Sequence, residues 1–157
     1  IRVDNHLETA MPLTIRQLLN HKTSGIYAVR PDASVLEALE AMAREDISSV
    51  LVMEGDALKG IFTERDYARK VILRGRNSRD TVVRELMTSE LITMTPEPTI
   101  DDCMSIMTEK HIRHLPVLEN GKVIGLVSIG DVVKSIIAGH EETIQQLAGY
   151  IAGDLKT

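Results

Sequence analysis

The stretch GIFTERD, residues 60–66, returns later in the chain as GLVSIGD, residues 125–131. Each copy has a glycine, two apolar residues, a hydroxyl residue and an aspartate three positions after the hydroxyl. A hydroxyl and an acid at this spacing are typical of a helix N-terminus, where the two side chains cap the backbone. The same two groups, together with the free N–H groups of the helix, can also hold a phosphate and a ribose diol. Both interpretations stay open at this point.

The repeat extends well beyond this motif. An offset of 65 positions aligns residues 31–66 with residues 96–131 without a gap. The identical pairs are Pro31/Pro96, Met42/Met107, Ile47/Ile112, Val52/Val117, Glu54/Glu119, Gly60/Gly125 and Asp66/Asp131. An ungapped match of this length indicates a duplicated structural unit.

Each copy predicts the same order of elements. Ser34 and Thr99, each with an acid three residues later, predict helix N-caps followed by apolar positions at helical spacing. A short strand is expected before each helix, over residues 26–29 and 91–94, and a β-hairpin after it. A second helix begins at the motif. The predicted fold class is therefore α/β (α+β), with two pseudo-symmetric β-α-β-β-α repeats, each a small, mainly antiparallel sheet with helices packed on one side.

The predicted organisation follows from the repeat. One copy of about sixty residues buries too little surface to be stable alone, so the two copies are expected to pack face to face. Short lead-in helices are expected at residues 15–19 and 83–87. The predicted segments are an N-terminal extension (1–14), the first repeat (15–73), a polar linker (74–82), the second repeat (83–138) and a helical tail (139–157).

Composition excludes several functional classes. The net charge of -5 and the pI near 5.5 argue against a nucleic-acid surface, and 3% aromatic residues leave no base-stacking strip. No apolar run approaches the ~18 residues of a membrane span. A single cysteine, Cys103, forms no internal disulfide and fits a reducing cytoplasm. We therefore expect a cytoplasmic protein without a nucleic-acid or membrane partner.

The second copy, MTEKHIRHLPVLENGKVIGLVSIGDVV (residues 107–133), closely resembles the cystathionine-β-synthase (CBS) domain. The resemblance covers about residues 15–138 and is to a tandem pair, a Bateman module, of the stand-alone bacterial kind. It implies a sensor without catalytic activity or catalytic cofactor. The implied ligand is AMP, ADP or ATP, or else NAD or S-adenosylmethionine, bound in a cleft between the repeats. It also implies a homodimer that acts on a separate effector protein.

The resemblance also assigns site residues. Asp66 and Asp131 would hold ribose hydroxyls, and Thr63 and Ser128 would contact phosphate or ribose. Aspartate is shorter than the glutamate of an ordinary capping box, so we expect it to be free to face the ribose. The matching positions around these residues are Lys22, Arg65, Arg113 and His114 beside the phosphate, Ser48 and Ser49 facing the cleft, and Ile26, Tyr27 and Pro116 around the adenine. Thr23 is a further predicted ligand-binding residue.

Several alternatives remain from the sequence. Both motifs could be plain caps in a structural or interaction module with an empty cleft, and Arg113 and His114 could belong to a solvated loop. Two sites of unequal affinity and one elongated ligand are both compatible with the differences between the copies. His111 and His114 lack the partners of a metal site. Cys103 lies beside an apolar stripe, which predicts core packing rather than catalysis.

Overall fold

The computed structural model describes residues 13–22 and 25–139. Within these ranges the chain forms six α-helices, one π-helical turn and five β-strands. The helices are α1 (Ile15–His21), α2 (Val35–Glu45), α3 (Glu64–Tyr67) with the π-helical turn Ala68–Ile72 directly after it, α4 (Val83–Leu86), α5 (Ile100–Lys110) and α6 (Ile129–Gly139). The strands are β1 (Ala28–Val29), β2 (Ser49–Glu54), β3 (Ala57–Thr63), β4 (His114–Glu119) and β5 (Lys122–Ser128). The predicted mixed α/β repeats are confirmed.

The first repeat builds a three-stranded sheet in the order β1-β2-β3. Strands β1 and β2 are parallel, whereas β2 and β3 form an antiparallel hairpin with a register shift between Val52 and Met53. The hairpin turns at Gly55, whose φ of 60° suits glycine because it has no Cβ to clash. The face of β2 is fully apolar from Val50 to Val52, and all three residues are 0% exposed.

The second repeat builds a two-stranded sheet from β4 and β5. The positive φ angles of Asn120 and Gly121, 54° and 78°, give the type I′ turn that the Asn-Gly pair predicts. The strand expected over residues 91–94 is wrong, since only Met94 bridges in parallel to Val117.

A missing donor accounts for the lost strand. In the first repeat the backbone N–H of Leu51 donates to the carbonyl of Tyr27 at 3.0 Å. The equivalent of Leu51 in the second repeat is Pro116, which has no N–H. The parallel pairing of the second repeat is therefore limited to Met94 and does not extend to the residues before it.

Each lead-in helix packs against the other repeat rather than against its own. Of the described residues, 13–22, 95–115 and 127–139 form one compact unit, here unit A, and 25–94 and 116–126 form the other, unit B. Unit A thus holds α1 of the first repeat together with α5 and α6 of the second. Unit B likewise holds α4, the lead-in helix of the second repeat, with the sheet of the first. The two units are therefore not the two repeats.

Backbone hydrogen bonds fix this exchange in the same way in both units. In unit A, Ile15 donates to the carbonyl of Pro98 at 2.9 Å, and Ile100 donates to that of Leu13 at 3.0 Å. In unit B, the equivalent bonds run from Val83 to Ala33 and from Val35 to Thr81, both at 2.8 Å. Each pair joins a lead-in helix to the N-cap of a long helix. The exchange is therefore a property of the duplicated sequence, although the linear pattern does not reveal it.

Each unit has its own core. In unit B the buried residues include Val35, Ala38, Met42, Val50, Val52, Phe62, Val71, Val83 and Leu86. In unit A they include Ile15, Leu18, Ile100, Cys103, Met107, Leu115, Val127 and Val132. Cys103 is 0% exposed, which confirms its predicted place in the core. Burial raises the pKa of its thiol to about 11, and the charge of Asp131 adds to the effect.

Candidate functional site

The first motif forms a complete capping box at the start of α3, in unit B. The hydroxyl of Thr63 accepts from the N–H of Asp66 at 3.1 Å, and Oδ2 of Asp66 accepts from the N–H of Thr63 at 3.0 Å. The Thr63 hydroxyl also lies 3.1 Å from the same Oδ2. The expectation that the shorter aspartate stays out of the box is wrong. The extended backbone of Thr63, with φ -120° and ψ 163°, brings its N–H within reach of the short side chain.

A lysine completes this first motif. Nζ of Lys70 lies 3.1 Å from Oδ1 of Asp66 and donates to the carbonyl of Leu86 at 3.0 Å. The Asp66 side chain is 13% exposed and that of Lys70 31%. Lys70 was not among the predicted site residues. The sequence does carry a signal for it, since oppositely charged residues four apart face and attract each other on a helix.

The second motif repeats the box at the start of α6, in unit A. Oγ of Ser128 accepts from the N–H of Asp131 at 3.1 Å, and Oδ2 of Asp131 accepts from the N–H of Ser128 at 2.9 Å. Here too the aspartate reaches back to the cap residue. Both motifs are therefore caps, as one of the two interpretations required, and this does not by itself exclude a ligand role.

The cation beside the second motif comes from a distant part of the chain. Nζ of Lys22, the C-cap residue directly after α1, lies 2.8 Å from Oδ2 of Asp131, and the two side chains are 20% and 19% exposed. Burial alone would raise the pKa of Asp131. The hydrogen bonds from Lys22 and Ser128, together with the charge of Lys22, outweigh burial and hold the pKa below its ordinary value of 3.8. Asp131 is therefore a stable anion at neutral pH.

A third box in the same chain shows what capping alone requires. Thr99 and Asp102 make the same reciprocal bonds at the start of α5, at 3.0 Å and 3.2 Å. These bonds lower the pKa of Asp102, yet its side chain is exposed and has no ion-pair partner in residues 13–22 and 25–139. The ordinary cap therefore needs neither burial nor a lysine, whereas both motif aspartates have both.

The residue directly before β2, and likewise the one before β4, accepts a hydrogen bond from the first N–H of the motif helix. The carbonyl of Ser48 accepts from the N–H of Glu64 at 3.0 Å, and that of Arg113 accepts from the N–H of Ile129 at 2.9 Å. In each unit, therefore, a predicted site residue contacts the N-terminus of the motif helix. It does so through its backbone, a contact that side-chain chemistry could not predict.

The remaining predicted residues are divided between the units. In unit A the structure brings Lys22, Ser128 and Asp131 into direct contact and places the exposed Arg113 and the half-buried His114 at the start of β4. In unit B, Thr63 and Asp66 are in contact, Arg65 is exposed on α3, and Ser49 is only 4% exposed in β2. Ile26 is 42% exposed, Tyr27 packs against the core, and Pro116 is buried in β4. Thr23 lies outside the described residues, as do the predicted tail from residue 140 and residues 1–12.

The described ranges contain one further surface feature near the first sheet. An open depression of about 440 Å³ is lined by Ala28, Val29, Arg30, Asp32, Ala33 and Glu37, none of which was predicted as a site residue. Residues 13–22 and 25–139 hold no group of three or more side chains suited to a metal ion. Over the same part of the chain, no helix has the length and apolarity needed to cross a bilayer.

A family model described as the CBS domain matches residues 15–73 and again residues 83–138. The chain therefore belongs to the CBS-domain family and carries two copies of the domain. This confirms the resemblance drawn from residues 107–133.

Individual relatives support the assignment. The chain is 44% identical over 127 residues to the CBS domain-containing protein CBSX3, mitochondrial, of Arabidopsis thaliana, a match that covers 78% of this chain but 62% of the relative. The chain thus spans less than two thirds of that protein's length. A solved structure of a protein with CBS domains from Burkholderia ambifaria is 48% identical with a TM-score of 0.77, covering 80% of this chain and 94% of the other. A CBS-domain containing protein from Agrobacterium tumefaciens is 38% identical with a TM-score of 0.75, covering 79% and 99%.

Proposed function

We propose that the chain is a non-enzymatic regulatory module that binds an adenosine nucleotide at one or both motifs. AMP, ADP or ATP is the preferred ligand class, with NAD and S-adenosylmethionine as further adenosyl candidates. Membership of the CBS-domain family supports this class of function. The domain boundaries predicted above and a cytoplasmic location belong to the same proposal.

One observation carries the proposal. Each motif aspartate is largely buried and lies within 3.1 Å of a lysine, whereas Asp102 forms the same box while exposed. Burying charged groups is costly, so a helix cap alone gives no reason to bury an aspartate together with a lysine. Paired charge next to a helix N-terminus is what a ligand with both hydroxyl and phosphate groups requires.

The chemistry of a nucleotide matches these groups. A carboxylate accepts hydrogen bonds from the two ribose hydroxyls, which is how acidic residues hold ribose in dinucleotide folds. Ammonium groups and helix N–H groups attract the phosphate. In unit A these roles would fall to Asp131 for the ribose and to Lys22, Ser128, Arg113 and His114 for the phosphate.

The remaining predicted residues have corresponding roles in unit B. Asp66 and Thr63 would take the ribose and phosphate there, with Arg65 and the Ser48 and Ser49 pair beside them. Ile26, Tyr27 and Pro116 would lie around the adenine. Thr23, outside the described residues, stays a further candidate for ligand binding.

The proposed mechanism is a shift of population. A nucleotide that binds one conformation of the chain more tightly raises the fraction of that conformation. A homodimer of the chain would then present the change to a separate effector protein.

Thermal unfolding with a ligand panel tests this function. A ligand that binds only the folded chain stabilises it by about 2.7 kcal/mol at a concentration one hundred times its Kd. We expect at least one of AMP, ATP, NAD and S-adenosylmethionine to raise the midpoint by several degrees at millimolar concentration, with GMP as the base-specificity control. If no adenosine compound raises the midpoint, the module is a structural or interaction protein and the proposal fails.

A further inference from the structure

In both units a lysine connects the motif aspartate to the C-terminal end of the lead-in helix. In unit B, Nζ of Lys70 lies 3.1 Å from Oδ1 of Asp66 and donates to the carbonyl of Leu86, the last residue of α4, at 3.0 Å. In unit A, Lys22 is itself the C-cap residue of α1, and its Nζ lies 2.8 Å from Oδ2 of Asp131. We call each of these connections a lysine bridge.

The two bridges are formed by different residues. Lys70 lies on the π-helical turn after α3 and bonds to the end of α4, whereas Lys22 lies at the end of α1 and bonds to α6. At the 65-residue offset of the repeat, Lys70 corresponds to Ser135, and the C-cap residue of α4 is Met87. The duplication of the sequence therefore does not account for the bridge occurring twice. The same connection, made by two different lysines, indicates a role in the module.

The third capping box shows that a cap does not require such a bridge. Asp102 makes the reciprocal bonds with Thr99 at the start of α5, and it pairs with no lysine in residues 13–22 and 25–139. The lysine bridge is thus specific to the two motif aspartates among the three serine- or threonine-aspartate boxes of the described chain.

In unit B the bridged helix end continues directly into a contact with the first sheet. Thr88 exchanges backbone hydrogen bonds of 2.9 Å and 3.0 Å with Ile61 of β3. The last carbonyls of a helix have no partner within the helix and carry partial negative charge, so an ammonium group stabilises the carbonyl of Leu86. Lys70 shares its bonds between this carbonyl and Asp66, and a change at the aspartate therefore affects the helix end.

We propose that each lysine bridge couples the motif aspartate to the lead-in helix, which belongs to the other repeat. A ligand hydroxyl that donates to the aspartate competes with the lysine for the carboxylate, and a ligand phosphate attracts the ammonium. Either interaction weakens the bridge and loosens the end of the lead-in helix. The ligand step rests on the proposed function, and the inference adds the route by which an occupied motif alters a segment of the other repeat.

Amide hydrogen exchange, measured residue by residue with NMR, tests the bridge of unit B without a ligand. We expect Lys70→Met and Asp66→Asn each to accelerate exchange at Met87 and Thr88 roughly five- to tenfold, because each removes a charge-assisted hydrogen bond. The double variant should exchange no faster than either single variant, since both changes remove the same bridge. Lys70→Arg keeps a cation with several donors and should retain most of the protection.

Two controls separate the bridge from a general loss of stability. Asp102→Asn alters a box of the same geometry without a bridge and should leave exchange at Met87 and Thr88 unchanged. The amide of Leu51, in the buried strand β2, should be accelerated less than those two amides in Lys70→Met. Wild-type exchange at Met87 and Thr88 in Lys70→Met, additive effects in the double variant, or equal acceleration at Leu51 would each overturn the inference.

Exchange with millimolar AMP and with ATP tests the ligand step. We expect a nucleotide that raises the unfolding midpoint to accelerate exchange at the end of at least one lead-in helix, at Thr88 or at residue 22. Replacing the lysine of that bridge, by Lys70→Met or Lys22→Met, should abolish this effect of the nucleotide. A raised midpoint with unchanged exchange at both ends would overturn the coupling and leave the proposed function standing. If neither nucleotide raises the midpoint, the proposed function loses its support, and the ligand-free comparison still decides the bridge.

Discussion

Nζ of Lys22 lies 2.8 Å from Oδ2 of Asp131, although 109 positions separate the two residues in sequence. Lys22 is the C-cap residue of α1, which has seven residues where its counterpart α4 has four. The lysine at that end belongs to the first repeat, and the aspartate it neutralises belongs to the second. Because α1 packs in unit A, the cation that pairs with Asp131 comes from the first repeat and not from the second.

Replacing this cation should destabilise the fold. Lys22→Met leaves a carboxylate that is 19% exposed without its partner. The pair is intermediate between a surface ion pair and a buried one, so we expect a loss of about 1–2 kcal/mol in the free energy of unfolding, measured by urea denaturation. Arg30→Met is the control, because the Arg30–Asp32 pair is 81% and 65% exposed and should contribute nothing measurable. Equal losses in both variants would contradict the importance assigned to the Lys22 pair.

The same pair predicts a dependence on pH. The pKa of Asp131 is depressed in the folded chain, so its ionisation stabilises the fold above the unfolded pKa near 3.8. This contribution is lost as the pH falls through the lower, folded pKa. The difference in unfolding free energy between the wild type and Asp131→Asn should be constant from about pH 5 to 7 and shrink below about pH 4. If the difference in unfolding free energy stayed constant into strong acid, the charge of Asp131 would not contribute to stability.

The glycine of the first motif should not tolerate a side chain. A Cβ at Gly60 would lie 2.6 Å from Sδ of Met87 and 2.8 Å from the carbonyl oxygen of Thr88. The carbonyl cannot move aside easily, because Thr88 forms backbone bonds with Ile61 at 2.9 Å and 3.0 Å. We expect Gly60→Ala to cost roughly 1–3 kcal/mol of stability by overpacking.

Denaturation of Gly60→Ala beside Gly139→Ala checks this expectation, since both replacements add the same methyl group. Wild-type stability in Gly60→Ala would mean that the 83–88 segment does not pack on β3 as described.

The buried cysteine should be inert in the folded chain. Cys103 is 0% exposed and its thiol pKa is about 11, so little thiolate is present at pH 8. We expect labelling by a thiol-specific disulfide reagent to be complete within seconds in denaturant and very slow in buffer. Rapid labelling of the native chain would contradict the described packing of α5.

Much of the fold could be predicted from the repeat, because capping, hairpins and helical spacing are local properties. The caps at Ser34 and Thr99 and the turn at Asn120-Gly121 are confirmed. The lost strand before Thr95 depends on what lies opposite it in the sheet. The relevant signal, Pro116, lies some twenty residues away along the chain.

Less of the site than of the fold could be predicted from the sequence. Motif spacing located Asp66 and Asp131, but the lysines beside them arise from different sources. Lys70 lies one helical turn after Asp66, whereas Lys22 reaches Asp131 only through the exchange of lead-in helices. The repeat treats the two copies as equivalent. It therefore does not show that Asp66 pairs with a lysine one helical turn away while Asp131 pairs with a lysine from a distant segment.

The most direct test of the central claim compares two aspartates with the same capping geometry. The wild type, Asp131→Asn and Asp102→Asn are unfolded thermally with and without millimolar amounts of the adenosine nucleotide that stabilises the wild type most. We predict that the nucleotide raises the midpoint of the wild type and of Asp102→Asn by the same amount and that of Asp131→Asn by clearly less. An undiminished rise in Asp131→Asn would show that the nucleotide does not bind at this motif.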